Sequence, residues 1–240
     1  MKKLILSSML LLSASASAAT MPTGFYAKLG FGQSYGADQD YNLKDSYDTS
    51  VTVHDGLDFK HSDSYELAVG YRYPQLSWLT TELALNYNSK LKLTGSSITS
   101  GTVTYDEASK LNIKSTTLML SGQIDMASLF GQDDWMFHPY VGLGIGVSRN
   151  KLNNFKLYSS DGSSSVTLNN GDTRTDFAWQ TKLGVTYAAT DHIVLDLSYA
   201  YNDYGKVKSK TTDYSSSETI YATEMDYHTQ QIMLDMRYFF

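Results

Sequence analysis

Hydrophobic and polar residues alternate with a period of two through most of the chain, most plainly at its end. Counting back from Phe240 by twos gives Tyr238, Met236, Leu234 and Ile232, interleaved with Phe239, Arg237, Asp235, Met233 and Gln231. One face is wholly apolar and the other mixed, which is the period of a β-strand and not of a helix. Seven earlier runs repeat the pattern. Their apolar faces are Phe25, Ala27, Leu29, Phe31; Tyr65, Leu67, Val69, Tyr71; Leu79, Leu83, Leu85, Tyr87; and Leu118, Leu120, Ile124. Then come Val141, Leu143, Ile145, Val147; Phe177, Trp179, Leu183, Val185, Tyr187; and Ile193, Leu195, Leu197, Tyr199, Tyr201. The opposite faces carry Gly, Ala, Ser, Thr, Asn, Gln and charges.

The links between runs alternate in length. Short ones fall around 73–76, 125–135 and 188–192, and long polar ones over about 33–61, 94–109, 150–175 and 205–223. Tight turns at one end and long loops at the other are the pattern of an outer-membrane barrel. A soluble sandwich has no reason to gather its long loops at one end. A water-soluble barrel would also turn its large apolar residues inward, whereas here the small polar face suits a narrow lumen. Aromatics at the strand ends (Tyr71, Tyr87, Trp179, Tyr187, Tyr199, Tyr201, Tyr238) suit interfacial girdles. The prediction is an all-β, eight-stranded antiparallel up-and-down transmembrane β-barrel over 19–240, with both termini in the periplasm.

Residues 1–18 read as a cleaved signal peptide. Lys2 and Lys3 precede a short apolar core, and Ala16, Ser17 and Ala18 fit a cleavage site. No later run of about 18 apolar residues occurs, so no helix is expected to span a membrane. The mean hydropathy of −0.30 does not argue against a barrel, because alternating strands average to neutral. Only 3 Pro, with 19 Tyr and 17 Gly, suits long strands. Cysteine is absent, which excludes disulfides and thiol chemistry. With 19 Lys and Arg against 25 Asp and Glu and no strong basic runs, nucleic acid is not an expected partner.

Two segments resemble a known family. The run 137–148, FHPYVGLGIGVS, is similar to the fifth strand of opacity-type surface proteins and of related small outer-membrane barrels such as the OmpA-type transmembrane domain. The ending Met236, Arg237, Tyr238, Phe239, Phe240 is similar to the terminal aromatic signal that such proteins present to the barrel assembly machinery, with Tyr238 and Phe240 as its key positions. The resemblance implies residence in the Gram-negative outer membrane and a role as surface antigen, adhesin or structural protein, with variable loops carrying the differences. A periplasmic peptidoglycan-binding role is not among the expectations.

Candidate chemistry begins with the inward charges. Lys28, Arg72, Lys182 and Arg237 balance Glu66, Glu82, Asp196 and Asp235. Buried charges cost several kcal/mol unless paired, so four of each sign predict an ion-pair network plugging the lumen. Counting up from the periplasmic ends matches Lys28 with Asp235 and Lys182 with Asp196. The interior of eight strands is about wide enough for side chains alone, which excludes a general porin. Gly142, Gly144 and Gly146 recur every second residue inside a strand, so they form no phosphate loop and instead leave lumen space for Tyr140 or its neighbours. Asp38, Asp40 and Asn42 open like a calcium loop, but Leu43 and Thr49 break that pattern. A weak site on Asp38, Asp40, Asp45 and Asp48 is the remaining metal alternative, and no cofactor is expected.

His61 and His228 lie near the outer rim without a patterned nucleophile beside them, so catalysis is not the expectation. Binding would reside in the loops. The first is acidic, the third is rich in Ser, Asn and Gly, and the fourth joins Lys206, Lys208 and Lys210 to Tyr214. The expected function is a non-enzymatic surface protein for adhesion, envelope contact or structure. Its partners are lipopolysaccharide, the assembly machinery and a candidate host-cell or matrix ligand. A narrow pore, or an enzyme that modifies lipid or peptide, is the alternative.

Overall fold

A strand that is apolar on one face and polar on the other can bury both only by curling its sheet shut in a lipid setting. The computed structural model describes residues 20–36, 41–44, 50–53, 57–59, 61–95, 98–100, 103–105, 111–153, 155–158, 165–168, 173–208 and 222–240. Its barrel strands are β1 (Gly24–Gly36), β2 (Ser62–Arg72), β3 (Leu79–Gly95), β4 (Leu111–Asp125), β5 (Phe137–Asn153), β6 (Thr173–Ala188), β7 (Ile193–Lys208) and β8 (Ala222–Phe239). Each pairs antiparallel with the next, and β8 closes on β1. Directly paired residues lead from Tyr26 through Gly70, Glu82, Ser121, Gly144, Gln180, Asn202 and Thr229 back to β1 at Gly36. Returning ten residues up the starting strand sets a strand tilt of about 40°.

The apolar residues face out. Leu143 is 70% and Leu29 63% exposed, while Lys28, next to Leu29 on β1, and Glu82 on β3 are buried. An outward apolar band of this extent calls for hydrocarbon around it, and among the described residues no helix is long and apolar enough to span instead. Aromatic rings pair across neighbouring strands at both edges of the band. Phe25–Tyr71 (4.6 Å) and Phe137–Tyr187 (5.7 Å) lie at the short-turn end, Tyr65–Tyr87 (6.5 Å) and Trp179–Tyr201 (5.6 Å) at the other.

At the short-turn end β4 runs into a single helical turn, α1 (Met126–Leu129), capped by the Asp125 side chain accepting from the Ser128 amide. At the other end the strands outrun the apolar alternation, reaching Gly36, Gly95, Asn153 and Lys208. Hairpins build on them. Tyr41–Lys44 pairs with Ser50–Val53 and with the start of β8, and Leu57–Phe59 pairs with β3. Ile98–Ser100 pairs with Val103–Tyr105, and Phe155–Tyr158 with Ser165–Leu168. The segments read from sequence as long links therefore contain much strand. Backbone pairing continues above the membrane, where the outward face no longer has to be apolar. Residues 1–18, read from sequence as a signal peptide, lie outside the described residues.

Candidate functional site

Alternation turns one side chain in two of every strand into the lumen, and these side chains meet in three tiers. The lowest is at the short-turn end. Arg72 donates to the Ser77 carbonyl (2.7 Å), to Asp125 (2.9 Å) and to the Ser128 hydroxyl (2.8 Å). His138 Nδ1 lies 2.9 Å from the same Asp125 carboxylate. Beside them Met21 packs on Tyr26, Ala188, Val194 and Phe239, leaving a cavity of about 20 Å³, space for roughly one water.

The middle tier holds most of the charge. The Lys28 ammonium sits between the Glu66 and Glu82 carboxylates, and Lys182 approaches Glu66 at 3.5 Å. Glu82 also accepts from the Tyr26 hydroxyl (2.8 Å). Arg237 pairs with Asp196, which accepts from Tyr140 (3.0 Å), and Arg237 also donates to Gln123 (3.0 Å). Its guanidinium lies over the rings of Tyr26 (5.3 Å) and Tyr140 (5.6 Å), a cation–π arrangement on two faces. Two glycines make room for these rings: a Cβ at Gly70 would collide with Tyr26, and one at Gly184 with Tyr140.

The upper tier is a neutral net of amides and hydroxyls that crosses the lumen. Gln180 donates to Asn202 (2.7 Å), Asn202 to Gln231 (3.3 Å), Gln231 to Asn88 (3.2 Å) and Asn88 to Tyr204 (2.9 Å). Ser115, Thr117, Ser148 and Asn150 form a second group, tied to the first where Asn150 donates to the Tyr204 carbonyl (2.6 Å). The Tyr204 and Tyr227 rings lie 5.3 Å apart at the top, both fully buried.

All eight charges read from sequence face the lumen, but two expected pairings are corrected. Lys28 does not meet Asp235, and Lys182 does not meet Asp196. For Lys182 the cause is register: it is opposite Ala200, whereas Asp196 is opposite Thr186, and its ammonium reaches across the lumen to Glu66 on β2. For Lys28 register alone does not choose, because Gly30 is opposite both Asp235 on β8 and Glu66 on β2; the ammonium goes to the β2 side, where Glu82 of β3 joins Glu66. Asp235 is buried with no hydrogen-bond partner for either oxygen among the described residues. Arg72 belongs to the lowest tier, with two residues that sequence reasoning did not count among the lumen charges, Asp125 and His138. The signal for Asp125 was present, since an Asp three residues before Ser128 caps α1. The Gly142 and Gly144 positions border Gln123, Lys182 and Met119, and Tyr140 occupies the space at Gly184.

At the chain end Tyr238 lies edge-on to Phe240 (5.5 Å), and the Phe240 amide donates to the Phe25 carbonyl (3.1 Å). His61 is exposed, its ring 6.3 Å from Tyr35. His228 lies 3.3 Å from Asp203, which accepts from the Trp179 indole (3.0 Å); all three are on the outer wall, not in the lumen. Asp38, Asp40, Asp45 and Asp48 lie outside the described residues, as do Lys210 and Tyr214. Among the described residues no three His, Asp or Glu are grouped to hold a metal ion.

Comparison with known proteins agrees with this architecture. The sequence profile of the outer membrane protein beta-barrel domain matches residues 4–240. Outer membrane protein PagN of Salmonella typhimurium is 30% identical over 132 residues, 55% of this chain and 52% of that protein. A Rickettsia conorii protein named "Putative adhesin RC1281" is 30% identical over 115 residues, 45% of this chain and 43% of that one. The chain thus spans about half the length of these relatives. The outer membrane protein OprG of Pseudomonas aeruginosa superposes with a TM-score of 0.59 at 15% identity, covering 92% of this chain and 100% of OprG, a likeness of fold.

Proposed function

The chain belongs to the outer membrane protein beta-barrel family, and from that premise we propose that it is a non-enzymatic surface protein whose barrel holds four loop clusters out for adhesion to a host cell or matrix. The observation that carries this reading is the closed lumen. An ion-paired middle tier lies beneath a hydrogen-bonded net that runs from Gln180 to Tyr204, so the interior is occupied by side chains. What is left for recognition is the end where the strands project past the apolar band and carry hairpins. The name of the Rickettsia conorii relative supports adhesion as the use of that end. Export through the 1–18 leader, and recognition of Tyr238 and Phe240 by the assembly machinery, belong to the same proposal.

The test is adhesion of a non-adherent bacterial host displaying the protein, against the same host displaying barrels with 37–60 or 209–221 replaced by short Gly-Ser turns. Heat-dependent gel mobility verifies that each barrel has folded. Adhesion to epithelial cells or matrix is expected to fall to the level of the empty host for at least one replacement. Equal binding by every trimmed barrel, or none by the intact one to any cell or matrix surface, contradicts the proposal.

A further inference from the structure

The outward face of β3–β6 changes character within two residues. One row of directly paired residues, Leu85, Leu118, Val147 and Phe177, is apolar and exposed. The next row is Tyr87, Thr116, Arg149 and Thr175, and the one beyond it is Lys114, Lys151 and Thr173. Lys114 and Lys151 are thus paired directly across β4 and β5, with Arg149 one step below on the same face. Like charges placed opposite each other in a sheet are destabilising. No acidic partner for Lys114, Arg149 or Lys151 is found among the described residues.

Elsewhere at this end outward cations and anions meet. Asp203 is held by Trp179 and His228, and Lys206 lies 4.0 Å from Asp226. Three cations on one wall therefore stand together beside the upper aromatic girdle, immediately above lipid-facing Leu118 and Val147. That is where headgroups begin. The cations face sideways into the leaflet, so they are not aimed at the space above the barrel.

We propose that Lys114, Arg149 and Lys151, with the Thr116 and Thr175 hydroxyls beside them, form a binding site for a phosphate of a phosphorylated glycolipid in the outer leaflet. Leu118, Val147 and Phe177 take its acyl chains. An anion between Lys114 and Lys151 turns their repulsion into two charge-assisted contacts, and the planar guanidinium of Arg149 supplies paired donors to phosphate oxygens. The proposal rests on the outer-membrane setting and not on what the loops bind, so a failed adhesion assay leaves it standing.

The experiment measures binding of bisphosphorylated lipid A to the full protein in detergent micelles, by native mass spectrometry. The comparisons are lipid A stripped of both phosphates and a sulfated oligosaccharide. The intact protein is expected to retain bisphosphorylated lipid A at least tenfold more tightly than the stripped lipid. Lys114→Gln/Arg149→Gln/Lys151→Gln is expected to abolish that preference, whereas Lys206→Gln keeps it. Heat-dependent gel mobility reports folding, and should the triple variant not fold, Arg149→Gln alone is expected to lose about threefold. Four outcomes overturn the proposal: no preference for the phosphorylated lipid, an unchanged preference in the triple variant (or in the folded Arg149→Gln barrel that replaces it), an equal loss in Lys206→Gln, or sulfated oligosaccharide competing as well as the lipid.

Discussion

Replacing Lys28 by Met keeps the unbranched shape and most of the length of the side chain and removes one buried charge from the middle of the barrel. Lys28 is 1% exposed, and both carboxylates at its ammonium, Glu66 and Glu82, are about as buried. Without it Glu66 keeps only Lys182 at 3.5 Å, and Glu82 keeps the Tyr26 hydroxyl at 2.8 Å. Stripping one partner from a buried ion pair costs about 3–5 kcal/mol, because the remaining charge is left uncompensated. Two acids share this cation, which points to the upper part of the range, and the residual Lys182 contact moderates it, so about 4 kcal/mol is expected. Adding Glu82→Gln removes one stranded charge and should recover about 2 kcal/mol of that loss. The assay is equilibrium urea unfolding of the barrel in thin lipid vesicles, followed by tryptophan fluorescence and by gel mobility. A loss below about 1 kcal/mol for Lys28→Met, or no recovery on adding Glu82→Gln, would show that the lumen does not depend on these pairs.

Other substitutions test neighbouring parts of the account by the same unfolding measurement. Leu143→Arg, on the lipid face, is expected to cost about 2–4 kcal/mol, and a neutral result there would mean that β5 is turned the other way. Gly184→Val and Gly70→Val force a side chain against the Tyr140 and Tyr26 rings, and each is expected to cost about 1–3 kcal/mol; in a Tyr140→Ala background Gly184→Val should become nearly neutral. Asp196→Asn leaves Arg237 without its carboxylate and should cost about 3–5 kcal/mol. Asp235→Asn should cost under about 1 kcal/mol or stabilise, since Asp235 has no hydrogen-bond partner among the described residues and faces Asp196 directly; a larger loss there would reveal a partner for it.

The barrel itself could be read from the sequence because lipid imposes a simple rule: every second residue of a spanning strand must be apolar. Leu67, Leu85, Leu143 and Leu234 obey it, and the opposite faces then select the lumen residues without any structure. The partners of those lumen residues were not legible in the same way. They depend on the ten-residue stagger around the barrel, which no single strand encodes and which brings Lys182 of β6 across the lumen to Glu66 of β2, the acid that Lys28 meets from the adjoining strand. Asp125 and His138 were missed for a different reason. Both are in phase with the lumen positions, Asp125 with Gln123 and His138 with Tyr140, but they sit at the strand ends, one step beyond the runs that were read as Leu118–Ile124 and Tyr140–Val147. The upper net escaped notice because Asn88, Asn202 and Gln231 are common lumen residues whose significance lies in crossing from one wall to another. The Lys114–Lys151 pair likewise emerges only once β4 and β5 are set in register.

The central claim is that the lumen is shut, and planar-bilayer conductance of the folded, inserted protein tests it most directly. The account predicts a flat baseline at moderate voltage. It also predicts that Asn88→Ala/Gln231→Ala, which breaks the crossing net while leaving Lys28 in place, stays closed at the middle tier. Reproducible discrete current steps from the unaltered protein would contradict it, and would mean that the ion pairs line a pathway instead of closing one.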